Sequence, residues 1–413
     1  MKRERRALTH VGGPSTREGA AEESLALAHA LDVPRSTGED DDPSRAHVHG
    51  FHAYPARMHP TTATRLVELT SVAGTKVLDP FCGSGTVLVS AMLVRRDAIG
   101  VDLNPLAVLL ASRKVARRDE AQYERLLASA ARAREHADAR RAKKAGALRR
   151  YGPEDVAAFD PHVLLELDGL RDAIEREPDG IVRDDLRVVL AAILVKVSRR
   201  PADTSTTRHR RDDEAPKRIA AGYPAKLFQK KTEELVRRLR ELDALMPTPR
   251  PRALVFAGDA RTLAKVRDGE AAAVVTSPPY AGTYDYFAHH ALRLRWLGLP
   301  AHELEHAEIG SRRELGRGGP GAADAWRKQV EDVLVSLHRV LAPRARAAFV
   351  VADSELGGRA VRADETFAAV VPRAGFRLIA RASQARPHFH DARAFAKVPR
   401  YEHVLLVEKD RGP

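Results

Sequence analysis

The sequence is poor in cysteine and in long apolar runs. Its 413 residues include one cysteine, Cys82, which excludes a disulfide framework and a zinc cluster built from several cysteines. No apolar run reaches the ~18 residues that a membrane span needs, and the basic start at Met1–Arg6 leads into no apolar secretory core. We therefore expect a cytoplasmic protein with no membrane partner.

Acidic residues are outnumbered by basic ones. The chain has 69 Lys and Arg against 56 Asp and Glu, which gives a formal charge of +13 and favours a polyanionic partner. Much of the excess lies in residues 113–150, where 13 basic and 5 acidic residues give 13 − 5 = +8. Arginine in such a segment binds phosphate well, but an ordinary solvated helix has the same composition. Both interpretations stay open at this point.

The composition changes along the chain and indicates four regions. Residues 1–45, with the acidic run Glu39–Asp42 and little apolar sequence, are predicted to be a flexible tail. We expect the first part of an α/β domain at 46–105, a largely helical and basic insertion at 106–250, and the second part of the α/β domain at 251–413. The length of the chain suits two or three domains, or one large domain with such an insertion, and its 44% of hydrophobic residues can form a core.

Strand-like segments lie on both sides of the insertion. They are Val77–Asp79, Ala98–Asp102, Ala253–Phe256, Ala271–Thr276, Ala347–Val351, Phe376–Ala380 and His403–Glu408. A strand, a glycine turn, a helix and a second strand in this order open a doubly wound α/β sheet. We predict a mostly parallel sheet that the insertion interrupts, with the polar, basic stretch Arg199–Arg218 as an exposed loop.

A glycine-rich turn, Asp79-Pro80-Phe81-Cys82-Gly83-Ser84-Gly85-Thr86, follows the first strand. Its glycines let the backbone turn sharply and approach a ligand, and Asp102 at the next strand end can accept hydrogen bonds from a ribose diol. A dinucleotide fingerprint needs a third glycine where the chain has Leu88, and no Gly-Lys-Ser/Thr of a phosphate loop follows. The segment therefore suits the binding of a nucleoside ligand with little phosphate. The alternative is a tight strand-to-helix turn that binds no ligand.

A second motif, Ser277-Pro278-Pro279-Tyr280, comes directly after an apolar strand. The prolines fix the backbone and remove two N–H donors, so carbonyl groups stay free to accept hydrogen bonds. The Ser277 hydroxyl and the Pro278 carbonyl can accept both hydrogens of a planar amino group, while Tyr280 offers a face on which a base stacks. A rigid turn at a strand end is the alternative.

Together, the Phe-x-Gly-x-Gly turn and the downstream Ser-Pro-Pro-Tyr motif resemble the amino-directed, S-adenosylmethionine-dependent methyltransferases of nucleic acids. Four further segments look similar to that family: Phe51–Pro60, Gly258–Ala260, Tyr284–Gly298 and Glu308–Arg312. The similarity covers roughly residues 50–105 and 250–408. It implies a class I methyltransferase-like, doubly wound sheet of seven mostly parallel strands, with target recognition in the insertion between the two motifs.

The resemblance also implies roles for individual residues. S-adenosyl-L-methionine would be bound by residues of the motifs and of the similar segments, namely Tyr54, Asp79, Pro80, Phe81, Gly83, Ser84, Gly85, Thr86, Asp102, Asn104, Asp259 and Ala260. Within this set, Asp102 would hold the ribose and Asp259 the adenine side. The target base would be held by the catalytic motif Ser277, Pro278, Pro279 and Tyr280.

The implied activity is methylation of an exocyclic amine in DNA, with cytosine N4 preferred over adenine N6 because the second motif begins with Ser277 rather than Asp. Methylation of a ring carbon needs a covalent cysteine, typically after proline, and the chain has no Pro-Cys pair. Restriction-modification is the host process that such an enzyme suggests. The alternatives are an RNA base methyltransferase, for example at guanine N2, and a non-catalytic nucleic-acid-binding protein on the same fold.

Two other features could suggest further chemistry. The histidines His47, His49, His52 and His59 lie in a predicted loop without the helical spacing of metal ligands, so we predict no metal site. Asp353 follows a predicted strand. An acid at that position is more often a cap or a sheet-edge contact than a catalytic group, and we leave it out of the site.

Overall fold

An eight-stranded sheet forms the centre of the protein. The computed structural model describes residues 13–33, 42–199, 218–317, 321–386 and 393–410. The strands run in the order β1-β9-β10-β6-β5-β2-β3-β4. Their bounds are β1 Ser15–Gly19, β2 Lys76–Asp79, β3 Asp97–Asp102, β4 Ala253–Ala257, β5 Ala271–Thr276, β6 Leu341–Ala352, β9 Phe376–Ala385 and β10 Tyr401–Lys409. A separate hairpin pairs β7 Ser354–Leu356 with β8 Arg359–Val361.

Five neighbouring strands are parallel, since β4, β3, β2, β5 and β6 pair in one direction. β10 is antiparallel to both of its neighbours, β6 and β9. The seven strands from β4 to β9 form the doubly wound, mostly parallel sheet that the sequence predicts. All seven predicted strand segments lie within observed strands. The carboxyl ends of β2, β3 and β5 meet at one edge, which is where ligands bind in such sheets.

Helices cover both faces of the sheet. They are α1 Ala21–Leu31, α2 Pro60–Thr70, α3 Thr86–Leu93, α4 Pro105–Val115, α5 Glu120–Ala142, α6 Pro153–Ala158, α7 Pro161–Glu175, α8 Gly180–Leu194, α9 Tyr223–Leu245, α10 Tyr286–Leu297, α11 His302–Ala307, α12 Arg312–Arg317, α13 Ala322–Val340 and α14 Ala363–Val370. One core contains the buried residues of α2, α3 and α4, and a second contains those of α13 and α14. Among the described helices, none has the length and apolar character required to cross a bilayer.

Six helices of the described chain, α4 to α9, lie between β3 and β4 and interrupt the sheet as expected. Local signals start two of them. Asn104 caps α4 by accepting from the Leu106 amide at 3.0 Å, and Asp119 begins α5 in a capping box with Gln122. α5 ends at Ala142. The predicted loop Arg199–Arg218 falls on residues 200–217, which lie outside the described residues.

The predicted flexible tail is wrong for residues 13–33. β1 pairs antiparallel with β9 and adds an eighth strand to the sheet, while α1 buries Leu27 and Leu31 against the core. The Thr62 hydroxyl donates to the Ala30 carbonyl at 2.8 Å and joins α1 to α2. These contacts are made to residues far along the chain, so local composition does not indicate them. Residues 1–12 and 34–41 lie outside the described residues.

Candidate active site

A cleft of about 850 Å³, part of it open to solvent, lies at the carboxyl edge of β2, β3 and β5. It brings together most of the residues that the sequence assigns to the site. The predicted residues that line it are Tyr54, Asp79, Pro80, Phe81, Gly83, Ser84, Thr86, Asp102, Asn104, Asp259, Ala260, Ser277 and Pro279. Three predicted residues, Gly85, Pro278 and Tyr280, are not part of this lining.

Both glycines of the turn have left-handed backbone angles, with φ of +48° at Gly83 and +82° at Gly85. Glycine adopts this conformation without strain. A Cβ at Gly83 would lie 3.3 Å from the Tyr54 ring, and one at Gly85 would lie 3.1 Å from Ala111 in α4. Gly85 therefore acts in the packing of α3 against α4, behind the cleft wall.

The carboxylate of Asp102 holds the glycine-rich turn Asp79–Thr86, the predicted cofactor turn, in place. Its Oδ2 accepts from the Gly83 amide at 2.8 Å, and its Oδ1 accepts from the Asn104 amide at 2.8 Å. Burial raises the pKa of Asp102 to about 6, and the two backbone hydrogen bonds oppose that rise. Each carboxylate oxygen still has a lone pair. The group can therefore accept hydrogen bonds from a ligand that carries hydroxyl groups.

Asp79 connects the two sequence motifs. Its Oδ1 accepts from the Thr276 hydroxyl at 2.7 Å and from the Phe81 amide at 3.1 Å. Thr276 immediately precedes Ser277, so this hydrogen bond connects the end of β2 to the residue at the start of the second motif. Burial raises the pKa of Asp79 to about 7. Thr276 is predicted only as the last residue of a strand, and no local pattern of residues indicates this contact.

Tyr54 is the aromatic wall of the cleft. Its hydroxyl accepts from the Asn104 side-chain amide at 3.2 Å. Its ring stacks on His290 with centroids 4.9 Å apart, and the ring of Tyr286 lies 6.2 Å away. Tyr286 also lines the cleft and was not predicted as a site residue, although its segment resembles the family.

Other lining residues were also missed, namely Ala56, Arg57, Met58, Cys82, Val87, Leu103, Leu304, Glu308 and Ile309. Glu308 accepts from the Tyr286 amide at 2.6 Å and from the Phe287 amide at 3.3 Å, so it caps α10 from outside the helix. Burial raises the pKa of Glu308 to about 7. The family-like segment Glu308–Arg312 was the available signal for this residue.

Asp259 has a cationic partner within the protein. Arg261 donates from Nε to both Asp259 oxygens at 3.0 Å and from a terminal nitrogen to Oδ2 at 2.6 Å. Any ligand that Asp259 contacts must therefore share the carboxylate with Arg261. The assignment of Asp259 to the adenine side stays a prediction.

The second motif forms a rigid loop at the end of β5. The Ser277 hydroxyl lies 3.1 Å from the Tyr280 hydroxyl, and burial raises the pKa of Tyr280 above its usual range. The indole N–H of Trp326 donates to the Pro279 carbonyl at 3.3 Å. Because the Pro279 carbonyl has this partner, the Pro278 carbonyl and the Ser277 hydroxyl are the natural acceptors for an amino group.

Asp353 has a structural role, as the sequence favours. It accepts from the Ala363 amide at the start of α14 and from the Tyr401 amide at the start of β10, each at 3.1 Å. It also pairs with Arg362 and His403. Among the described residues, Asp353, Asp364 and His403 converge closely enough to be metal ligands, but arginines already pair with both carboxylates.

The strand order β4-β3-β2-β5-β6-β10-β9, with β10 antiparallel, and a ligand cleft at the end of β2 define a class I methyltransferase fold. Residues 26–113 match the N6_N4_Mtase family model, described as DNA methylase. Through this segment, which contains the cofactor turn, the chain is similar to DNA methylases. The similarity implies S-adenosyl-L-methionine as the cofactor of the cleft.

Three known proteins share parts of this sequence. The type II methyltransferase M.MjaII of Methanocaldococcus jannaschii is 33% identical over 81 residues, or 20% of this chain and 15% of its own. The type II methyltransferase M.MvaI of Kocuria varians is 39% identical over 70 residues, or 16% and 15%. The tRNA (guanine(10)-N2)-dimethyltransferase of Methanothermobacter thermautotrophicus is 40% identical over 62 residues, or 15% and 18%. The similar region thus spans less than a fifth of each relative.

The cleft residues fit the implied cofactor. The Ser84 hydroxyl is buried and has no hydrogen-bond partner among the described residues, so it is available to a bound ligand. Neither Asp79 nor Asp102 has a cationic partner among the described residues, which suits a ligand with a sulfonium and an ammonium group. When bound, S-adenosylmethionine supplies an electrophilic methyl group.

Proposed function

We propose that this protein methylates the exocyclic amine of a base in DNA, with cytosine N4 preferred over adenine N6. The observation that carries the proposal is the hydrogen bond between Asp79 and Thr276. This bond joins the cofactor turn to the second motif, Ser277–Tyr280, which is the target-base loop of the proposal. Ser277 and Pro279 line the same cleft as Asp102. The family match and the names of the two type II relatives support DNA as the substrate.

The target amine is held by the second motif. The Ser277 hydroxyl and the Pro278 carbonyl accept its two hydrogens, which turns the nitrogen lone pair toward the cleft, and Tyr280 supports the base by stacking. The proline ring geometry keeps these acceptors in place, so little reorganisation is needed when the amine attacks. Catalysis then depends on the positions of the two reacting groups.

A covalent cysteine route does not fit the site. Cys82 is 4% exposed and lies in the wall of the cofactor turn. Burial and the nearby carboxylates Asp102 and Asp79 raise the pKa of its thiol well above the usual value. The thiol therefore stays protonated and is a poor nucleophile. This agrees with direct transfer to an amine rather than to a ring carbon.

The insertion supplies the contact to the nucleic-acid backbone in this proposal, with lysines as the main contributors. Most arginines of residues 113–150 form ion pairs inside the insertion, namely Arg113, Arg118, Arg125, Arg132, Arg134, Arg140, Arg141 and Arg149. By contrast, Lys143, Lys144, Lys226 and Lys230 are exposed and have no ion pair among the described residues. The approach of Arg141 to Gly222 brings the end of α5, next to Lys143 and Lys144, close to the start of α9, which carries Lys226.

An RNA substrate is the second candidate. The similarity to a tRNA guanine-N2 dimethyltransferase favours it, because guanine N2 is also an exocyclic amine that the Ser277 and Pro278 acceptors can hold.

Restriction-modification in the cytoplasm is the cellular role that we propose for the DNA activity. The type II relatives support that role.

Nucleoside analysis tests the proposal. The full-length protein is incubated with methyl-labelled S-adenosylmethionine and separate pools of DNA and RNA, and the digested nucleosides are identified by mass spectrometry. We expect N4-methylcytosine in the DNA pool. N6-methyladenine would correct the target base, and N2-methylguanine in the RNA pool would establish the second candidate. A methyl group on a ring carbon, or no transfer to either pool, would contradict the proposal.

A further inference from the structure

The family-like segment Glu308–Arg312 lies behind the target-base loop. The Gly310 carbonyl accepts from the Gly282 amide at 3.0 Å. The Gly310 backbone has φ +67°, and a Cβ there would lie 3.3 Å from both the Pro279 and the Tyr280 carbonyls. The turn at Gly310 therefore packs backbone against backbone on the second motif. Glycine allows this close approach.

Helix α13 holds both the turn and the loop. The Gln329 side-chain oxygen accepts from the Gly310 amide at 3.1 Å, and the Trp326 indole donates to the Pro279 carbonyl at 3.3 Å. These two residues are three apart, so they project from the same face of the helix. Trp326 is buried and packs edge-on against Phe367. The helix is thus anchored in the core and offers two fixed hydrogen-bonding groups.

The same turn also reaches the cofactor cleft. Glu308, two residues before Gly310, lines the cleft and caps α10 through the amides of Tyr286 and Phe287. At the other end, the Arg312 amide donates to the Tyr284 carbonyl at 2.9 Å. One short turn therefore contacts both the wall of the cofactor cleft and the loop that presents Ser277 and Pro278.

We infer that the Glu308–Ser311 turn, Trp326 and Gln329 form a positioning clamp that sets the distance between the cofactor and the target-base loop. The inference rests on the proposed function, and it assigns Gly310, Trp326 and Gln329 an effect through the loop rather than through contact with the substrate. Because the Trp326 indole already donates to the Pro279 carbonyl, an incoming amine donates to the Pro278 carbonyl instead. Loss of the clamp moves the acceptors rather than removing them, so it lowers the turnover rate more than cofactor binding.

Gln329 allows a matched test, because it is only half-buried. Gln329→Met keeps the length of the side chain and removes the acceptor for the Gly310 amide. Gln329→Glu keeps an acceptor oxygen. We expect kcat to fall about tenfold in the Met variant, as for the loss of one hydrogen bond at the reacting geometry, with the Kd of S-adenosylmethionine unchanged. The Glu variant should stay within about twofold of the wild type.

Trp326→Phe tests the second contact, because it keeps an aromatic ring and removes the indole N–H. We expect a larger fall in kcat, with the Kd of the cofactor from calorimetry again unchanged. Parallel losses of cofactor affinity and thermal stability in Gln329→Met and Trp326→Phe would show a merely structural role and overturn the inference. Equal kcat in the Met and Glu variants of Gln329 would also overturn it.

Hydrogen exchange separates this inference from the proposed function. The Gly282 amide is bonded to Gly310, and the Thr283 amide is bonded to the Tyr280 carbonyl. In Gln329→Met these amides should exchange faster than in Gln329→Glu, whether or not the protein methylates any nucleic acid. Unchanged exchange would refute the clamp. If the wild type transfers no methyl group but Gln329→Met still exchanges faster than Gln329→Glu, only the proposed function is refuted.

Discussion

The cofactor turn and the target-base loop lie on the same cleft but are held in different ways. In the cofactor turn, the Asp102 carboxylate accepts from the amides of Gly83 and Asn104, and the three residues lie within 22 residues of sequence. The target-base loop depends on Gly310, Trp326 and Gln329, which come from elements 30 or more residues downstream. The first motif is therefore held by hydrogen bonds between residues close in sequence, whereas the second motif needs support from a distant helix.

The largest change in cofactor affinity is expected from a substitution in the cofactor turn. Asp102→Ala removes the acceptor of the Gly83 and Asn104 amides and the group assigned to the ribose. We expect the Kd of S-adenosylmethionine to rise by roughly 100-fold, about 2.7 kcal/mol, because hydrogen bonds to a charged group are lost and two amides lose their partner. Isothermal calorimetry measures the change. A Kd within twofold of the wild type would contradict the role of Asp102.

Target-base variants should show the opposite pattern. Tyr280→Ala removes the stacking face, and Ser277→Ala removes an acceptor, so transfer to nucleic acid should fall by about 10- to 100-fold. The Kd of the cofactor should stay unchanged in both. Tyr280→Phe is the control, because it keeps the face and loses only the contact to the Ser277 hydroxyl. Loss of cofactor binding in these variants would show that the two regions are not separable.

The pH dependence of cofactor binding tests the role of the two carboxyl groups at the cofactor turn. Asp79 and Asp102 have pKa values of about 7 and 6, and their ionised forms attract a cationic ligand. The affinity for S-adenosylmethionine should therefore rise severalfold from pH 5 to pH 8 and then level off. Calorimetry across this range measures it, with Asp79→Asn as the variant that flattens the curve. An affinity that falls with rising pH would oppose this account.

The same carboxyl groups predict the opposite trend for the stability of the ligand-free protein. Their folded-state pKa values lie above the unfolded value near 4, so the native state binds more protons between pH 4 and 7. Their contribution to the free energy of unfolding is present below pH 4 and is lost as the pH rises through 6 to 7. Urea unfolding with and without Asp79→Asn isolates this contribution.

The smallest expected effect concerns the insertion, away from both regions. Lys226→Ala with Lys230→Ala should weaken nucleic-acid binding a few-fold and reduce the salt slope by up to about 2. The matched control is Arg125→Gln with Arg132→Gln, two exposed arginines that pair with Asp179 and Glu177. Electrophoretic shift assays at several salt concentrations compare them. Equal effects in the two pairs would show that free and ion-paired cations contribute alike.

Much of the fold was predictable because its signals are local. Apolar runs such as Ala271–Thr276 became central strands, and the glycine turn is where a doubly wound sheet places it. The strand β1 was not predictable, since its residues Ser15–Gly19 are all exposed and are held only by pairing with β9. Beyond Ala142, where α5 ends, Lys144 has a positive φ of +51°.

The class of fold, the glycine turn and the Ser-Pro-Pro-Tyr motif can be recognised from the sequence alone, because each depends on residues that are near one another in the chain. Only the tertiary structure decided which of these residues meet. It joined Asp79 to Thr276 and set Gly310 and Gln329 behind the target-base loop. It also paired most arginines of the basic segment with acids. Such contacts form between distant segments when the core packs, and no local pattern of residues specifies them.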